Sequence, residues 1–271
     1  EGRKQMIHTL LDCYGVRKSR LDDIRFTNDF LNELAYHIGV KTIAPPALIP
    51  YYYCREEEDT GISAFLFLRG GHITIHTFPL RECYFMDVLY DGFFESGKLY
   101  DFVRNELSFN EVASVVKTYE RRTEVNEVFK VEAESDFGPH IMAKIAVEEN
   151  PVMEKIYDLL EQIIPDVGMI PISRPYIIKD SIKNPSFLSG MILIAQSHIS
   201  ILFDYQEKII YFDLFSCSVF DCSNIRLLED QFGKVLSYQV IARGSKHGDK
   251  RAASLKNIEN MANMSWARKV E

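Results

Sequence analysis

The chain repeats itself. Gly70-Gly71-His72-Ile73-Thr74-Ile75 aligns with Gln196-Ser197-His198-Ile199-Ser200-Ile201 at an offset of 126 residues. The same offset sets Ser63 on Ser189, Pro45 on Pro171, Leu34 on Leu160, Phe30 on Ile156, Asp87 on Asp213 and Val88 on Leu214. A gapless register that carries a helix, a turn and two strands implies two copies of one supersecondary unit, so both halves must fold alike.

Periodicity supplies the order of elements within each copy. Residues 5–12 read as a strand, and 28–38 carry the i, i+3, i+4 spacing of an amphipathic helix through Phe30, Leu31 and Leu34. Strand-like runs follow at 63–69, 72–78 and 84–90, then a helix near 97–107 and a strand at 113–119. The second half repeats this with a strand at 140–147, a helix at 152–164 opened by Pro151, strands at 191–195, 198–204 and 208–215, a helix near 223–232 and a strand at 236–242. Short turns between consecutive strands imply antiparallel pairing, with helices on one face of each sheet. The expected fold is α+β: two repeated halves packed sheet to sheet as an αββα sandwich. Its expected parts are a first repeat over 1–122, a charged and poorly periodic linker over 123–138, a second repeat over 139–243, and a polar tail over 244–271 that reads as a mobile extension or a late surface helix.

Composition removes several classes of function. The chain is 46% hydrophobic and 26% charged, which is globular, and its net charge of −8 comes with lysines and arginines spread evenly, so no basic stripe is available for nucleic acid. No run approaches the roughly 18 apolar residues of a membrane span, and Glu1-Gly2-Arg3-Lys4-Gln5, with Asp12 close behind, does not suit a signal peptide. A cytoplasmic protein is expected. Five cysteines (Cys13, Cys54, Cys83, Cys217, Cys222) with no CxxC spacing argue against a disulfide framework and a zinc site, and no metal is expected.

The segments Gly71-His72-Ile73-Thr74-Ile75-His76-Thr77-Phe78-Pro79 and Ser197-His198-Ile199-Ser200-Ile201, each followed by a strand holding an aspartate (Asp87, Asp213), resemble the maturation motif of the S-adenosylmethionine decarboxylase family. Asp12-Cys13-Tyr14-Gly15 resembles the family's N-terminus, and the likeness runs to about Arg243. In that family the bacterial enzymes are homodimers of one such unit and the eukaryotic ones a fused pair. Each site draws a serine that becomes pyruvoyl, and a cysteine twenty positions later, from one unit, and a serine and a histidine from the facing unit. The resemblance therefore implies Ser197 and Cys217 from the second half, with Ser63 and His76 from the first. The first half has Gly71 and Asp91 in the nucleophile and cysteine positions, while the second keeps Ser189 but has Leu202 in place of the histidine. Each half is broken where the other is intact, so one composite site is expected, with the roles of the halves exchanged relative to the fused eukaryotic form.

The implied chemistry starts with attack of the Ser197 hydroxyl on the carbonyl of Gln196. Ser63 would stabilise the oxyanion and His76 would move protons. Cleavage between Gln196 and Ser197 leaves a pyruvoyl group that condenses with a substrate amine and draws off electrons as carbon dioxide leaves, with no metal and no pyridoxal phosphate. Cys217 suits the reprotonating acid, since a thiol of reference pKa about 8.5 is mostly protonated at neutral pH. Gln196 stands where the family has glutamate, and Leu80 where it has the glutamate that holds the ribose. Glu82, Tyr53 and Ala195 are the residues expected to bind substrate, Glu82 being two positions along the same strand. His72 and His198 recur in both halves and read as structural, and Asp91 reads as solvated.

Three functions fit these residues. The first is a self-processing decarboxylase of S-adenosylmethionine feeding polyamine (spermidine) biosynthesis. The second is the same chemistry on a smaller amino acid such as ornithine or arginine, and the third is a non-catalytic relative that binds a ligand or regulates a partner. The duplication supplies an internal pseudo-dimer, so a monomer or a homodimer is expected.

Overall fold

A computed structural model describes residues 5–220, 222 and 225–267. The first half runs β1 (Met6–Tyr14), α1 (Lys18–Leu21), α2 (Ile24–His37), β2 (Ala47–Tyr51), β3 (Gly61–Leu68), β4 (Gly71–Phe78), β5 (Cys83–Asp91), α3 (Ser96–Glu106) and β6 (Val115–Glu120). A short β7 (Asn126–Val128) precedes the second half, which runs β8 (Gly138–Ala146), α4 (Met153–Asp166), β9 (Tyr176–Lys179), β10 (Phe187–Ile194), β11 (Ser197–Asp204), β12 (Ile209–Phe215), α5 (Ile225–Phe232) and β13 (Lys234–Arg243). Helix α6 (Gly248–Ala267) follows. The sheet orders are β2-β3-β4-β5-β1-β6 and β7-β13-β8-β12-β11-β10-β9, so the two halves share one topology. All pairings are antiparallel except β7 with β13.

The duplicated α+β architecture agrees with the expectation, and four details differ. The edge strands β2 and β9 were not expected: they are short and only half-buried, and Pro50 interrupts the pattern of β2. An edge strand needs only one partner, so it leaves little alternation in the sequence. The linker contains β7. Helix α1, a single turn before α2, was not expected either; the tail forms α6, the late helix that was one of its two readings, and packs Ala252 beside Tyr14, while 268–271 and the expected helix start at Ser223 lie outside the described residues.

The fourth difference concerns register. Strands β3 and β4 map onto β10 and β11 at 126, since Leu68 pairs with Gly71 as Ile194 pairs with Ser197. The helix before them maps at 129: Gly39 (φ 75°) ends α2 as Gly168 (φ 68°) ends α4, and 168 − 39 = 129. Thr42 bridges Leu68 as Pro171 bridges Ile194, so the structural equivalent of Pro171 is Thr42, not Pro45. The difference of three residues falls in the loop 52–60 between β2 and β3, which is that much longer than its counterpart before β10.

Period-two alternation sorts each strand into an outer and an inner face. Outward, Ile73 and Ile75 of β4 and Met86 and Val88 of β5 meet the apolar stripe of α2 (Phe30, Leu31, Leu34, Ala35); Ile199, Ile201, Phe212 and Leu214 meet α4 and α5 in the same way. Asp23 caps α2 by accepting a 2.9 Å hydrogen bond from the Phe26 amide. Inward, where sheet meets sheet, the same strands carry His72, Thr74 and His76, then Asp87, His198, Ser200 and Asp213, all buried. Aromatic and aliphatic clusters surround this polar centre, Phe78, Phe85, Phe137 and Phe215 among them.

Two buried arginines tie the polar centre together. Arg121, just after β6, donates to Asp213 Oδ1 at 2.5 Å and to His8 Nδ1 at 2.9 Å. Arg243, at the end of β13, donates to Asp87 Oδ1 at 2.7 Å, Asp12 Oδ1 at 2.6 Å and His140 Nδ1 at 2.9 Å. The two occupy equivalent places in the repeat, and each reaches across to the aspartate of the other half. For Asp213, burial raises the carboxyl pKa and Arg121, with His8 and His140, more than reverses it, so the group stays ionised. Arg121→Met would strand that carboxylate and is expected to lower the unfolding free energy by about 3–5 kcal/mol in urea titrations, with added Asp213→Asn recovering part of the loss. A loss below about 1 kcal/mol would show that the bridge contributes little.

Candidate active site

The hairpin turn between β10 and β11 contains only Ala195 and Gln196, and the register of the flanking strands forces the second of these into a left-handed conformation, at φ 51°. The equivalent turn of the first half places Gly70 there, at φ 85°. Glycine accepts that conformation freely, whereas a residue with a Cβ pays about 1–2 kcal/mol. The strained residue is thus Gln196, which supplies the carbonyl of the Gln196–Ser197 bond, and both residues are fully buried.

Ser63 on β3 and His76 on β4 are direct cross-strand partners. Ser63 Oγ lies 2.9 Å from His76 Nδ1 and donates at 2.9 Å to Gln196 Oε1, which brings the first half's pair onto the second half's turn. The Gln196 carboxamide also donates to the Tyr51 carbonyl at 3.4 Å, tying the turn to the end of β2. On the other side, the Cys217 backbone N–H donates to Ser197 Oγ at 2.8 Å, and the Cys217 thiol donates to the Ala195 carbonyl at 3.3 Å. Burial pushes the thiol up, with a hydrogen bond to Ser197 pulling the other way. Ser63, His76, Gln196, Ser197, Cys217 and Ala195 therefore form one constellation.

The other expected residues behave differently. Leu80 and Glu82 do not lie on a strand: Pro79–Arg81 is a 3-10 turn and Glu82, at φ 49°, ends it, so the idea that Glu82 keeps the face of Leu80 fails because the chain turns. Glu82 is exposed, and so is Tyr53, whose ring meets Tyr51 edge-on at 6.2 Å. Asp91 is not solvated, since Arg122 donates to it at 2.6 Å and also pairs with Asp204 and Glu207. That ion cluster fills the position corresponding to Cys217.

The pseudo-equivalent site of the other halves is closed by sterics. A Cβ on Gly71, the position of Ser197, would stand 1.9 Å from the Leu89 carbonyl oxygen of β5. Ser189 faces Leu202, which packs with Met6, Leu89, Phe187 and Tyr211, so no base is near.

Sequence reasoning missed two partners of the site. Tyr51 contributes through its backbone, which no side-chain pattern reports. His198 touches the site: its Nδ1 lies 2.9 Å from His76 Nε2, with an angle of 10° between the ring planes. Its alternation with Ser200 on the inward face was the available signal. A third group, His8, His140 and Asp213, brings three ligand atoms within 4.8 Å of one another. Arg121 already donates to two of those residues, so a cation fills the position a metal would take.

Burial pushes His72 down to about 4 and His76 down to about 3, and holds His8 and His198 well below the ordinary imidazole value, so the folded protein keeps all four neutral. Once unfolded they take up protons below about pH 6.5, which makes their contribution complete above that pH and lost as pH falls toward the folded values. Each group is worth about 1.4 kcal/mol per pH unit in that window. Urea midpoints are expected to fall steeply from pH 7 to 5, and a flat profile would contradict buried neutral imidazoles.

Residues 7–122 match the sequence profile of S-adenosylmethionine decarboxylase. No curated protein matches significantly. Among solved structures, the adenosylmethionine decarboxylase from Aquifex aeolicus aligns over 48% of this chain and all of its own, at 20% identity and a TM-score of 0.38. A provisionally assigned monooxygenase from Fusobacterium nucleatum aligns over 89% of this chain and 97% of its own, at 10% identity and a TM-score of 0.23. The likeness to the S-adenosylmethionine decarboxylase family is thus carried by residues 7–122, the first repeat, which is less than half of the chain.

Proposed function

We propose that this decarboxylase processes itself at Gln196–Ser197 and acts on S-adenosylmethionine, supplying polyamine synthesis in the cytoplasm from one composite site per chain. The observation that carries the reading is the Gln196–Ser197 turn, with Gln196 in a left-handed conformation, held between Ser63 and His76 of one half and Cys217 of the other.

In the first step Ser197 Oγ bonds to the Gln196 carbonyl carbon and the C–N bond breaks, which turns the amide into an ester and relieves the turn. The Cys217 N–H already donates to Ser197 Oγ and steadies the hydroxyl as it loses its proton. Ser63, hydrogen-bonded to the Gln196 side chain, is the donor assigned to the oxygen that becomes negative, and neutral His76 behind it takes up the Ser197 proton and returns it to the Ser197 nitrogen as the C–N bond breaks. Elimination of the Gln196 carboxylate across Cα–Cβ of Ser197, followed by hydrolysis with loss of ammonia, leaves fragment 1–196 and a fragment 197–271 that begins with pyruvoyl.

The pyruvoyl carbonyl supplies the electron sink for decarboxylation. The residues around it fit that group: Ser197 generates it, the pocket is buried, and the Cys217 thiol, kept protonated by burial, stands ready to return a proton to carbon. Leu80, half-exposed where the family's ribose-binding glutamate would be, favours a second reading with a smaller amino acid as substrate.

Denaturing mass spectrometry of freshly purified protein tests the processing step. Two fragments split at Gln196–Ser197 are expected, with Ser197→Ala remaining whole and Ser63→Ala cutting more slowly by about 10²-fold or more. A native chain that stays whole on long incubation would overturn self-processing and leave the non-catalytic reading. Turnover of ornithine or arginine in place of the nucleoside would reassign the substrate.

A further inference from the structure

The base in the site is not isolated. From Ser63 a line of polar groups passes to His76, then to His198 of the other half, then back to Asp87 of the first: 2.9 Å from Ser63 Oγ to His76 Nδ1, 2.9 Å from His76 Nε2 to His198 Nδ1, and 3.4 Å from His198 Nε2 to Asp87 Oδ2. The coplanar imidazoles place the N···N contact in the plane of both rings, where a hydrogen bond between them must lie. Resting on the self-processing reading, we propose that His198 and Asp87 are positioning residues, which hold His76 as the tautomer protonated on Nε2 so that its Nδ1 lone pair faces Ser63.

Direction follows from the far end. Asp87 accepts from Arg243 at 2.7 Å through Oδ1 and from Thr74 at 3.3 Å through Oδ2, so it is held as a carboxylate. At 3.4 Å the two atoms make no hydrogen bond, yet an ionised oxygen that close attracts an N–H and repels a bare nitrogen lone pair, so His198 carries its proton on Nε2. A neutral imidazole has one N–H, which leaves His198 Nδ1 as an acceptor and obliges His76 to donate from Nε2. His76 Nδ1 is then free to accept the Ser63 proton.

Gln196 competes for that proton, because Ser63 has one hydrogen and two acceptors at 2.9 Å. An imidazole nitrogen is the more basic acceptor, so the Ser63 hydroxyl rotates to it from Gln196 Oε1 while the carboxamide keeps its N–H on the Tyr51 carbonyl. The same proton line joins residues of both halves, which makes the base dependent on correct assembly of the sandwich.

The test reads the tautomer directly and needs no processing. In full-length Ser197→Ala protein with ¹⁵N-labelled histidine, long-range ¹H–¹⁵N spectra distinguish protonated from bare ring nitrogens, and His76→Gln identifies the His76 signals among the seven histidines. The expected result is His76 protonated on Nε2, shifting toward Nδ1–H or a mixture in Asp87→Asn and in His198→Phe. With Ser197 restored, His198→Phe is expected to slow chain cleavage about 100-fold, and His198→Asn, which keeps a hydrogen bond to His76, to recover part of it. His76 protonated on Nδ1 in the parent spectrum, which requires no second variant to fold, would overturn the proposal, as would an unchanged tautomer in both variants. If native protein never cleaves while His76 carries Nε2–H, self-processing fails and the positioning role for that base falls with it, leaving only the proton order.

Discussion

The crossed pair Arg121–Asp213 and Arg243–Asp87 is the constraint on which the rest of the molecule depends. Each bridge leaves one half and ends on the other, in the middle of an interface otherwise closed by aromatic and aliphatic side chains. Two ions buried together repay their desolvation only in good geometry with their remaining hydrogen-bonding capacity filled. Arg243 meets that condition with Asp12, Asp87, His140 and the Leu11 and Met86 carbonyls. The sheets can therefore slide very little relative to one another, since a shift of a strand residue would leave charges unpaired. The composite site, which needs Ser63 and Gln196 within hydrogen-bonding distance across that interface, inherits this alignment.

The duplication would permit two such constellations, and the described residues bring one together. Close packing accounts for the loss on the other side. Gly71 sits against the β5 backbone with no room for a side chain, Leu202 belongs to an apolar cluster, and Asp91 is committed to Arg122. What replaces the second site is ordinary core and ion-pair packing, which stabilises the fold without poising chemistry. The strained residue persists only on the side that retains a serine nucleophile: a non-glycine at φ 51° before Ser197, a glycine at the matching turn.

Proximity also explains the extra length in the first half. The loop 52–60, three residues longer than its counterpart, leaves β2 at Tyr51, whose carbonyl accepts from Gln196, and returns through Asp59, which is paired with Arg81 in the turn after β4. The inserted residues thus lie beside the composite constellation rather than its closed counterpart. They are attached to it by the backbone of Tyr51 and by the Asp59–Arg81 ion pair.

The sequence by itself determined the architecture and named the candidates for the site. Alternating Ile73, Ile75 and Ile199, Ile201 against His72, Thr74 and His198, Ser200 encodes two faces per strand, and a twofold occurrence of that pattern encodes two stacked sheets, because period and burial are local properties. Complementary losses at Gly71, Asp91 and Leu202 marked Ser63, His76, Ser197 and Cys217 as one set. Only the tertiary structure decided what those residues touch. The 129-residue register of the helices, the turn that removes Glu82 from the strand, the crossed arginines and the line from Ser63 through His76 and His198 to Asp87 join positions up to 232 residues apart in the chain. Hydrogen bonds between such positions depend on distances and angles set by packing of the whole, which no local pattern carries.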